Sequence, residues 1–211
     1  MASIVASIVT PPPLAIVQAR IGSTRLPGKM LLDLGGHPLI WWAWTASTVA
    51  FGPSNVVIAI PASAENDGLA RVCEEMGATV FRWNGPENDV LGRFHACAHT
   101  YRWHPDSVIV RVTPDDPFKL PILMREVANG ARHPVEWGAE AFTLTMLDDA
   151  WCLPGLSEGR EHITRVLFDF PPPRCPPGIW TIDTAADLEA ARKILAEAGG
   201  PYWLTTSGAQ A

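Results

Sequence analysis

The chain has 211 residues, of which 47% are hydrophobic, so it can bury one sizeable core and is too short for two independent domains of ordinary size. Its net charge of −6 offers no broad attraction to nucleic acid or to an anionic membrane, and no apolar run reaches the roughly 20 residues of a membrane span. The cysteines are widely spaced, with no CxxC pair and no histidine cluster nearby, which predicts neither a zinc site nor a disulfide framework and favours reduced thiols. These features predict a cytoplasmic protein whose partners are small molecules.

The two ends of the chain are predicted to be tails. Residues 1–13 are apolar, carry no cation and end in three prolines, so they lack the basic start of a secretory signal, although they could add an edge strand. Residues 14–203 are predicted to form a single domain, and residues 204–211 a C-terminal tail.

The first predicted element is a strand at residues 15–17, followed by a basic loop. Gly22 and Gly28 help to turn the backbone of this loop. Backbone N–H groups approach a ligand easily beside glycine, and arginine side chains make two-point contacts with phosphate oxygens. The loop is therefore predicted to hold a polyphosphate, and the alternative is a basic surface turn. Its three cations are Arg20, Arg25 and Lys29.

Two common phosphate-binding motifs do not fit this loop. A P-loop has four residues between its glycines and then Gly-Lys-Ser/Thr. Here five residues separate Gly22 from Gly28, and Met30 stands where the metal-binding hydroxyl belongs. A dinucleotide-binding fingerprint would need GxGxxG after the strand, and the sequence lacks it.

Downstream of the loop, predicted helices and strands alternate at close spacing. This pattern predicts an α/β fold of three layers, α/β/α, in which a mostly parallel sheet is covered by helices on both faces. Ligands bind such sheets outside the carboxyl ends of the strands, where the basic loop lies. The predicted helices are residues 39–49, 65–76, 91–102 and 121–131, and the predicted strands are residues 55–60, 79–82 and 107–112.

Two adjacent carboxylates, Asp115 and Asp116, follow the predicted strand 107–112 and stand between two prolines. A carboxylate in this position lies on the ligand edge of the sheet. The alternative is a proline-flanked surface turn.

Asp183 is the third candidate, in the segment IWTIDTAADLEAARKIL. Thr184 and Asp187 form a capping-box pattern that opens an amphipathic helix, so the cap is explained without Asp183. A carboxylate just before a helix on the ligand edge is well placed to hold a cation.

The basic loop, QARIGSTRLPGKML, resembles the signature QARxxSTRLPGKxL of the cytidylyltransferases that activate acidic sugars. That group includes CMP-ketodeoxyoctulosonate synthetase, acylneuraminate cytidylyltransferase and the spore coat polysaccharide biosynthesis protein F homologues. The resemblance implies a Rossmann-like nucleotide-diphospho-sugar transferase fold. It also implies a homodimeric enzyme of polysaccharide biosynthesis that transfers CMP from CTP to an acidic sugar or a related small anionic acceptor, with release of pyrophosphate.

Two further segments imply a metal site. TPDDP resembles the family's TxDxP segment, and WTIDTAADLE resembles WTVDTPEDLE, so Asp115 and Asp183 are expected to bind Mg²⁺ on the nucleotide phosphates. Mg²⁺ suits this task because it prefers oxygen ligands and bridges carboxylates to phosphates. The role of Asp116 stays open. The catalytic residues expected from the resemblance are Arg20, Lys29, Asp115 and Asp183.

The segment ENDVLGRF resembles the family's EDDVLxRF element beside the nucleotide, although Asp89 is equally well explained as a helix cap. The nucleotide-binding residues implied by the resemblance are Ala19, Arg20, Gly22, Ser23, Thr24, Arg25, Lys29, Asp89 and Arg93.

Acceptor binding is implied for two segments. GREHIT resembles REHVT of the spore coat group, although a lone histidine on a helix, as His162 would be, is usually structural. HPVEWGAEAF is a shorter counterpart of a family segment that ends in YPDGLDVEVF. Gly138 stands where that pattern has an aspartate, which favours a compact or apolar-lined pocket for a phosphonate, a short hydroxy acid or an unusual sugar. The expected acceptor-binding residues are Glu140, Arg160, Glu161 and His162. An apolar strand with a possible role at the dimer interface is expected at Trp137, Phe142, Leu144 and Met146.

Two alternatives stay open. One is an enzyme of the same fold that uses another nucleoside triphosphate or a nucleotide sugar. The other is a non-catalytic homologue that binds a nucleotide, although the expected phosphate and metal residues are all present.

Overall fold

The computed structural model describes residues 11–102, 104–153 and 180–199, together with residues 160, 167, 173 and 178. Its strands are β1 (Leu14–Gln18), β2 (Asp33–Leu34), β3 (His37–Pro38), β4 (Val56–Pro61), β5 (Thr79–Trp83), β6 (Val108–Val112) and β7 (Glu140–Thr143). Its α-helices are α1 (Leu39–Phe51), α2 (Asp67–Glu75), α3 (Val90–Tyr101), α4 (Pro121–Ala128), α5 (Leu144–Cys152) and α6 (Ala185–Ala198).

Five of these strands form one sheet in the order β5, β4, β1, β6, β7. The first four are parallel, and β7 runs antiparallel to β6. β1 lies at the centre, and it pairs with β4 on one side and with β6 on the other. The carboxyl ends of β1, β4 and β6 therefore meet at one edge of the sheet.

The side chains of β1 explain why it occupies the centre. Leu14 and Ile16 pack on one face of the sheet with α3 and α5, and Ala15 and Val17 pack on the other face with α1, α2, α4 and α6. A strand that is buried on both faces has to be apolar at every position, as this one is. The three-layer α/β/α fold with a mostly parallel sheet is thus confirmed.

The region from residue 137 to residue 146 differs from its prediction as one apolar strand. Only Glu140–Thr143 are extended, and α5 begins at Leu144 because the Thr143 side chain caps it by accepting the Met146 N–H (3.2 Å). Phe142 and Leu144 are 3% and 2% exposed, so they are used in the core of this chain itself. They therefore give no support to a subunit interface, and the homodimer stays a prediction.

The ends of other helices and strands differ by a few residues from their predicted positions. Residues 64–66 form a 3₁₀ turn ahead of α2, and α4 ends three residues early, before Gly130 (φ 94°). The short β2–β3 hairpin was not predicted, and it turns through Gly35 and Gly36, both with positive φ. Both predicted tails lie largely outside the described residues. In the part of the chain that the structure describes, no helix has the length and apolar character needed to cross a membrane.

Candidate active site

The basic loop leaves β1 at the carboxyl edge of the sheet, and contacts with its neighbours hold its shape. The Ala19 N–H donates to the Ala59 carbonyl oxygen (3.1 Å), which continues the pairing of β1 with β4. The Ile21 N–H donates to the side-chain oxygen of the buried Asn66 (2.8 Å). Gly28 has a φ of 69°, a left-handed conformation that glycine adopts without steric cost. Contacts with β4 and with the turn before α2 therefore help to hold the loop in its conformation.

This loop forms one side of a cleft of about 270 Å³. The segment after β6 and the residue that precedes the α6 cap contribute Asp115 and Asp183 to the same cleft. The structure thus brings together three segments that are far apart in sequence. All the loop residues predicted to bind nucleotide line the cleft: Ala19, Arg20, Gly22, Ser23, Thr24, Arg25 and Lys29.

Lys29 lies at the centre of the charged groups in the cleft. Its Nζ donates to Asp115 Oδ2 (3.0 Å), to Asp183 Oδ1 (3.1 Å) and to the Ile182 carbonyl oxygen (3.0 Å), and its side chain is only 10% exposed. Arg25 pairs with the second oxygen of Asp183 (2.9 Å). The two carboxylates therefore converge on one cation from opposite segments of the chain.

The backbone joins the two aspartate-bearing segments directly. The Ile182 N–H donates to the Asp115 carbonyl oxygen (2.8 Å), and Thr181 Oγ1 donates to Asp116 Oδ1 (2.5 Å). These two bonds act as a clamp next to the cleft, so the positions of Asp115 and Asp183 depend on each other.

Asp116, whose role the sequence left open, turns inward and anchors the loop. It is 3% exposed, and its Oδ2 accepts hydrogen bonds from Thr113 and from Lys119 Nζ (3.1 Å). Lys119 is fully buried, and it also donates to Thr113 Oγ1 (3.0 Å) and to the Val135 carbonyl oxygen (2.6 Å). A buried ion pair whose remaining donors are satisfied fixes local geometry. Asp116 is thus held in place inside the protein, and this restricts the backbone of the adjacent Asp115.

The capping box predicted before α6 is present. Thr184 Oγ1 accepts the Asp187 N–H (3.2 Å), and Asp187 Oδ2 accepts the Thr184 N–H (2.8 Å). Its hydrogen bond with the Thr184 hydroxyl is the main cause that holds the pKa of Asp187 below its usual value. Because Asp187 carries the cap, the Asp183 side chain is left to face Lys29 and Arg25.

The start of α3 lies beside the basic loop. Arg20 donates to Asn88 Oδ1 (2.6 Å), and the next residue, Asp89, caps α3 by accepting the Gly92 N–H (2.8 Å). Arg160 makes a two-point contact with the Asp89 carboxylate (2.8 and 3.0 Å). Asp89 thus has the structural role that the sequence offered as its alternative, and its part in nucleotide binding remains a prediction.

Arg93 is buried behind this helix start. It is 2% exposed, and its Nε and Nη1 have no hydrogen-bond partner among the described residues. Burial lowers the pKa of Arg93 to about 10, and the nearby charge of Arg20 adds to this effect. Arg93 is therefore a buried cation of α3, and its part in nucleotide binding remains a prediction.

Glu140, predicted to bind the acceptor, pairs within the sheet. Its carboxylate contacts Arg111 Nη1 (2.5 Å), and Arg111 Nε donates to Gln18 Oε1 (3.0 Å), at the end of β1. Only 8% of the Glu140 side chain is exposed. Gln18 itself lines the cleft, so Glu140 is linked to the cleft through two side chains. Glu161 and His162 lie outside the described residues.

Comparison with known proteins identifies the family of this chain. Residues 14–130 match the family model described as cytidylyltransferase. The spore coat polysaccharide biosynthesis protein SpsF of Bacillus subtilis is 32% identical, and the match covers 88% of this chain and 87% of that protein. The 3-deoxy-manno-octulosonate cytidylyltransferase 1 of Hydrogenovibrio crunogenus is 34% identical over 57% of this chain, which spans only 45% of that relative's length.

A solved structure, a cytidylyltransferase from Leptospira borgpetersenii, superposes with a TM-score of 0.75. Its sequence is 25% identical, and the match covers 88% of this chain and 87% of that one. The matched residues 14–130 include the basic loop and Asp115, and Asp183 joins them in space. The chain belongs to the cytidylyltransferase family, a family of nucleotidyltransferases.

Proposed function

We propose that this chain transfers CMP from CTP to a small anionic acceptor and releases pyrophosphate. The observation that carries the proposal is the convergence of Asp115 and Asp183 on one cation in a cleft lined by arginine and lysine. A site of this kind can hold a triphosphate and a divalent ion at once.

Three cations of the basic loop would receive the triphosphate. Arg25 and Lys29 now pair with carboxylates, and Arg20 with an asparagine oxygen, so each already points to an oxygen acceptor. Ser23 Oγ accepts the Leu26 N–H (3.3 Å), which leaves its own hydrogen to donate to a phosphate oxygen. Phosphate oxygens would replace these acceptors when CTP binds.

The donor set fits Mg²⁺. This ion prefers oxygen ligands and is commonly held by one or two carboxylates together with substrate phosphates. Asp115 Oδ2 and Asp183 Oδ1 both contact one cation, the Lys29 ammonium, and this convergence supports their proposed role as Mg²⁺ ligands. When bound, the ion would neutralise negative charge on the α-phosphate and on the acceptor oxygen. Lys29 would then be free to pair with the phosphates.

The reaction asks for positioning and charge neutralisation. An acceptor oxygen forms a bond with the α-phosphorus of CTP, and the bond from that phosphorus to the pyrophosphate oxygen breaks on the opposite side. Arg20, Arg25 and Lys29 would offset the charge of the leaving pyrophosphate. The clamp between Ile182 and Asp115 would keep both carboxylates in place during the transfer.

The proposed choice of CTP is based on the match to the cytidylyltransferase family. Asp89 and Arg93 are proposed to act near the nucleotide because they lie at the start of α3, where Asn88 contacts Arg20 of the cleft. The preference for cytosine over other bases is proposed from the family match, because backbone groups often read the base in such folds and the side chains do not reveal it.

The acceptor would be small and anionic, such as a sugar acid, a short hydroxy acid or a phosphonate, and its use would fit polysaccharide biosynthesis, as in the spore coat relative. Arg160 supplies a cation close to the start of α3, with Glu161 and His162 next to it in sequence. Glu140 would help indirectly, because it orients Arg111 and through it Gln18 at the cleft.

The proposal predicts that pyrophosphate release depends on CTP, on Mg²⁺ and on one acceptor class. The assay measures release with CTP, UTP, GTP or ATP against sugar acids, hydroxy acids and phosphonates, and a matched reaction contains EDTA. Release with CTP that EDTA abolishes is the expected result. Release with only a different nucleotide would assign another donor, and binding of CTP without release across the panel would favour the non-catalytic alternative.

A further inference from the structure

Two histidines and a carboxylate meet on the surface formed by α3 and α5. His95 and His99 are four residues apart on α3, so they share one face of the helix. Asp148 reaches them from α5, and its Oδ1 lies 3.2 Å from His95 Nε2 and 2.6 Å from His99 Nε2. The three ligand atoms all lie within 4.8 Å of one another.

We propose that His95, His99 and Asp148 bind one transition-metal ion of the zinc class, with water at the remaining position. Imidazole nitrogen and carboxylate oxygen are the ligands that Zn²⁺ takes, whereas Mg²⁺ and Ca²⁺ require oxygen. Zinc bonds of about 2.0–2.2 Å in a tetrahedron place ligand atoms about 3.3 Å apart. The separation of 3.2 Å between His95 and Asp148 is close to this value, and the separation of 2.6 Å between His99 and Asp148 would have to widen when an ion binds.

The surroundings hold the ligands in place and still admit an ion. The side chains of His95, His99 and Asp148 are 24%, 42% and 40% exposed, so an ion can enter from solvent. The His95 ring is stacked on Trp151 (centroids 4.7 Å apart, planes 16° apart), which fixes its orientation.

Arg160 places a positive charge near the proposed metal site, and this charge opposes the binding of an ion. Its guanidinium lies over the Trp151 ring, 4.1 Å from the centroid, and its positive charge disfavours a second cation nearby. The two-point contact with Asp89 offsets that charge. Because α3 is capped by Asp89 beside the basic loop, an ion that ties α3 to α5 would also steady the helix start next to the cleft.

The test is a Zn²⁺ titration of the full chain, without an affinity tag, against a chromophoric chelator. We expect one equivalent per chain and an affinity at least tenfold weaker in His95→Gln, in His99→Gln and in Asp148→Asn. His133→Gln is the matched control, since His133 also contacts a carboxylate, Glu126 (2.6 Å), without a second histidine beside it among the described residues. Its affinity should equal that of the wild type.

Two further measurements separate this site from the cleft and from a loss of folding. Co²⁺ bound to the wild type should show the absorption of a four-coordinate site, and Asp183→Asn should leave Zn²⁺ binding unchanged. The proposal is overturned if the wild type binds no stoichiometric Zn²⁺ or if His95→Gln/His99→Gln, with unchanged circular dichroism, binds as tightly as the wild type. A loss of binding in Asp183→Asn alone would assign the ion to the cleft.

Discussion

Replacing Asp183 with asparagine is expected to lower kcat for pyrophosphate release by roughly 100-fold or more, with the fold intact. Asparagine keeps the size of the side chain but removes the negative charge that faces Lys29 and Arg25. Asp115→Asn should have a comparable effect, because both carboxylates would hold the same Mg²⁺. The measurement is steady-state pyrophosphate release at saturating CTP over a range of Mg²⁺ concentrations.

Asp106→Asn is the matched control for these variants. Asp106 is exposed and precedes β6, at the opposite end of the strand from the cleft, so its turnover should equal that of the wild type. Circular dichroism and thermal unfolding should show that all three variants are folded. Full turnover in Asp183→Asn would remove that residue from the metal site.

The second large effect is expected on stability, from Lys119→Met. Lys119 is fully buried, and its Nζ pairs with Asp116 (3.1 Å) and donates to the Val135 carbonyl oxygen (2.6 Å). Removing one partner of a buried ion pair leaves the other charge uncompensated, which costs about 3–5 kcal/mol. We therefore expect the free energy of unfolding, measured by urea denaturation, to fall by about this amount. Turnover should also fall, because Asp116 supports the clamp at Asp115.

Lys193→Met provides the matched control for this substitution. Lys193 is on α6 with 78% of its side chain exposed, and its Nζ lies 4.0 Å from Glu197. Exposed pairs of this kind contribute about 0–1 kcal/mol, so the control should unfold almost as the wild type does. If Lys119→Met and Lys193→Met unfold at the same urea concentration, the buried pair does not anchor the segment after β6.

The central strand and the mostly parallel sheet were predictable, because a strand buried on both faces needs a continuous apolar run. Residues 15–17 and 55–60 are apolar at nearly every position, and helices with identifiable starts separate them from the strands that follow. The antiparallel β7 was mistaken for part of a longer strand, because Phe142, Leu144 and Met146 alternate in sequence. The cap at Thr143, which converts the continuation into a helix, is a local hydrogen bond that the apolar pattern does not show.

The charged residues that line the cleft were predictable, but the buried contacts that support them were not. The loop motif indicated Lys29, the segment after a predicted strand indicated Asp115, and the segment before a predicted helix indicated Asp183. The structure brings these three residues together. The inward turn of Asp116 toward Lys119 depends on burial, for which the i,i+3 spacing of opposite charges was the only sequence signal.

Partners that come from separate elements left even less trace in the sequence. The pair of Arg111 with Glu140 follows from the register of β6 with an antiparallel β7, in which these residues lie opposite each other. His95 and His99 flank Cys97 on one helix, so the statement that no histidine cluster lies near the cysteines was wrong. The pair was missed as a candidate site because its carboxylate comes from α5, a helix that was not predicted.

Calorimetric titration of the chain with nucleoside triphosphates tests most directly whether the basic loop and the two aspartates form a CTP site. We expect CTP to bind one to one in the presence of Mg²⁺, more tightly than UTP, GTP or ATP, and much more weakly when EDTA is present or when Asp115 and Asp183 are both replaced by asparagine. Absence of heat with every nucleotide, from a chain shown to be folded, would contradict the assignment of this cleft.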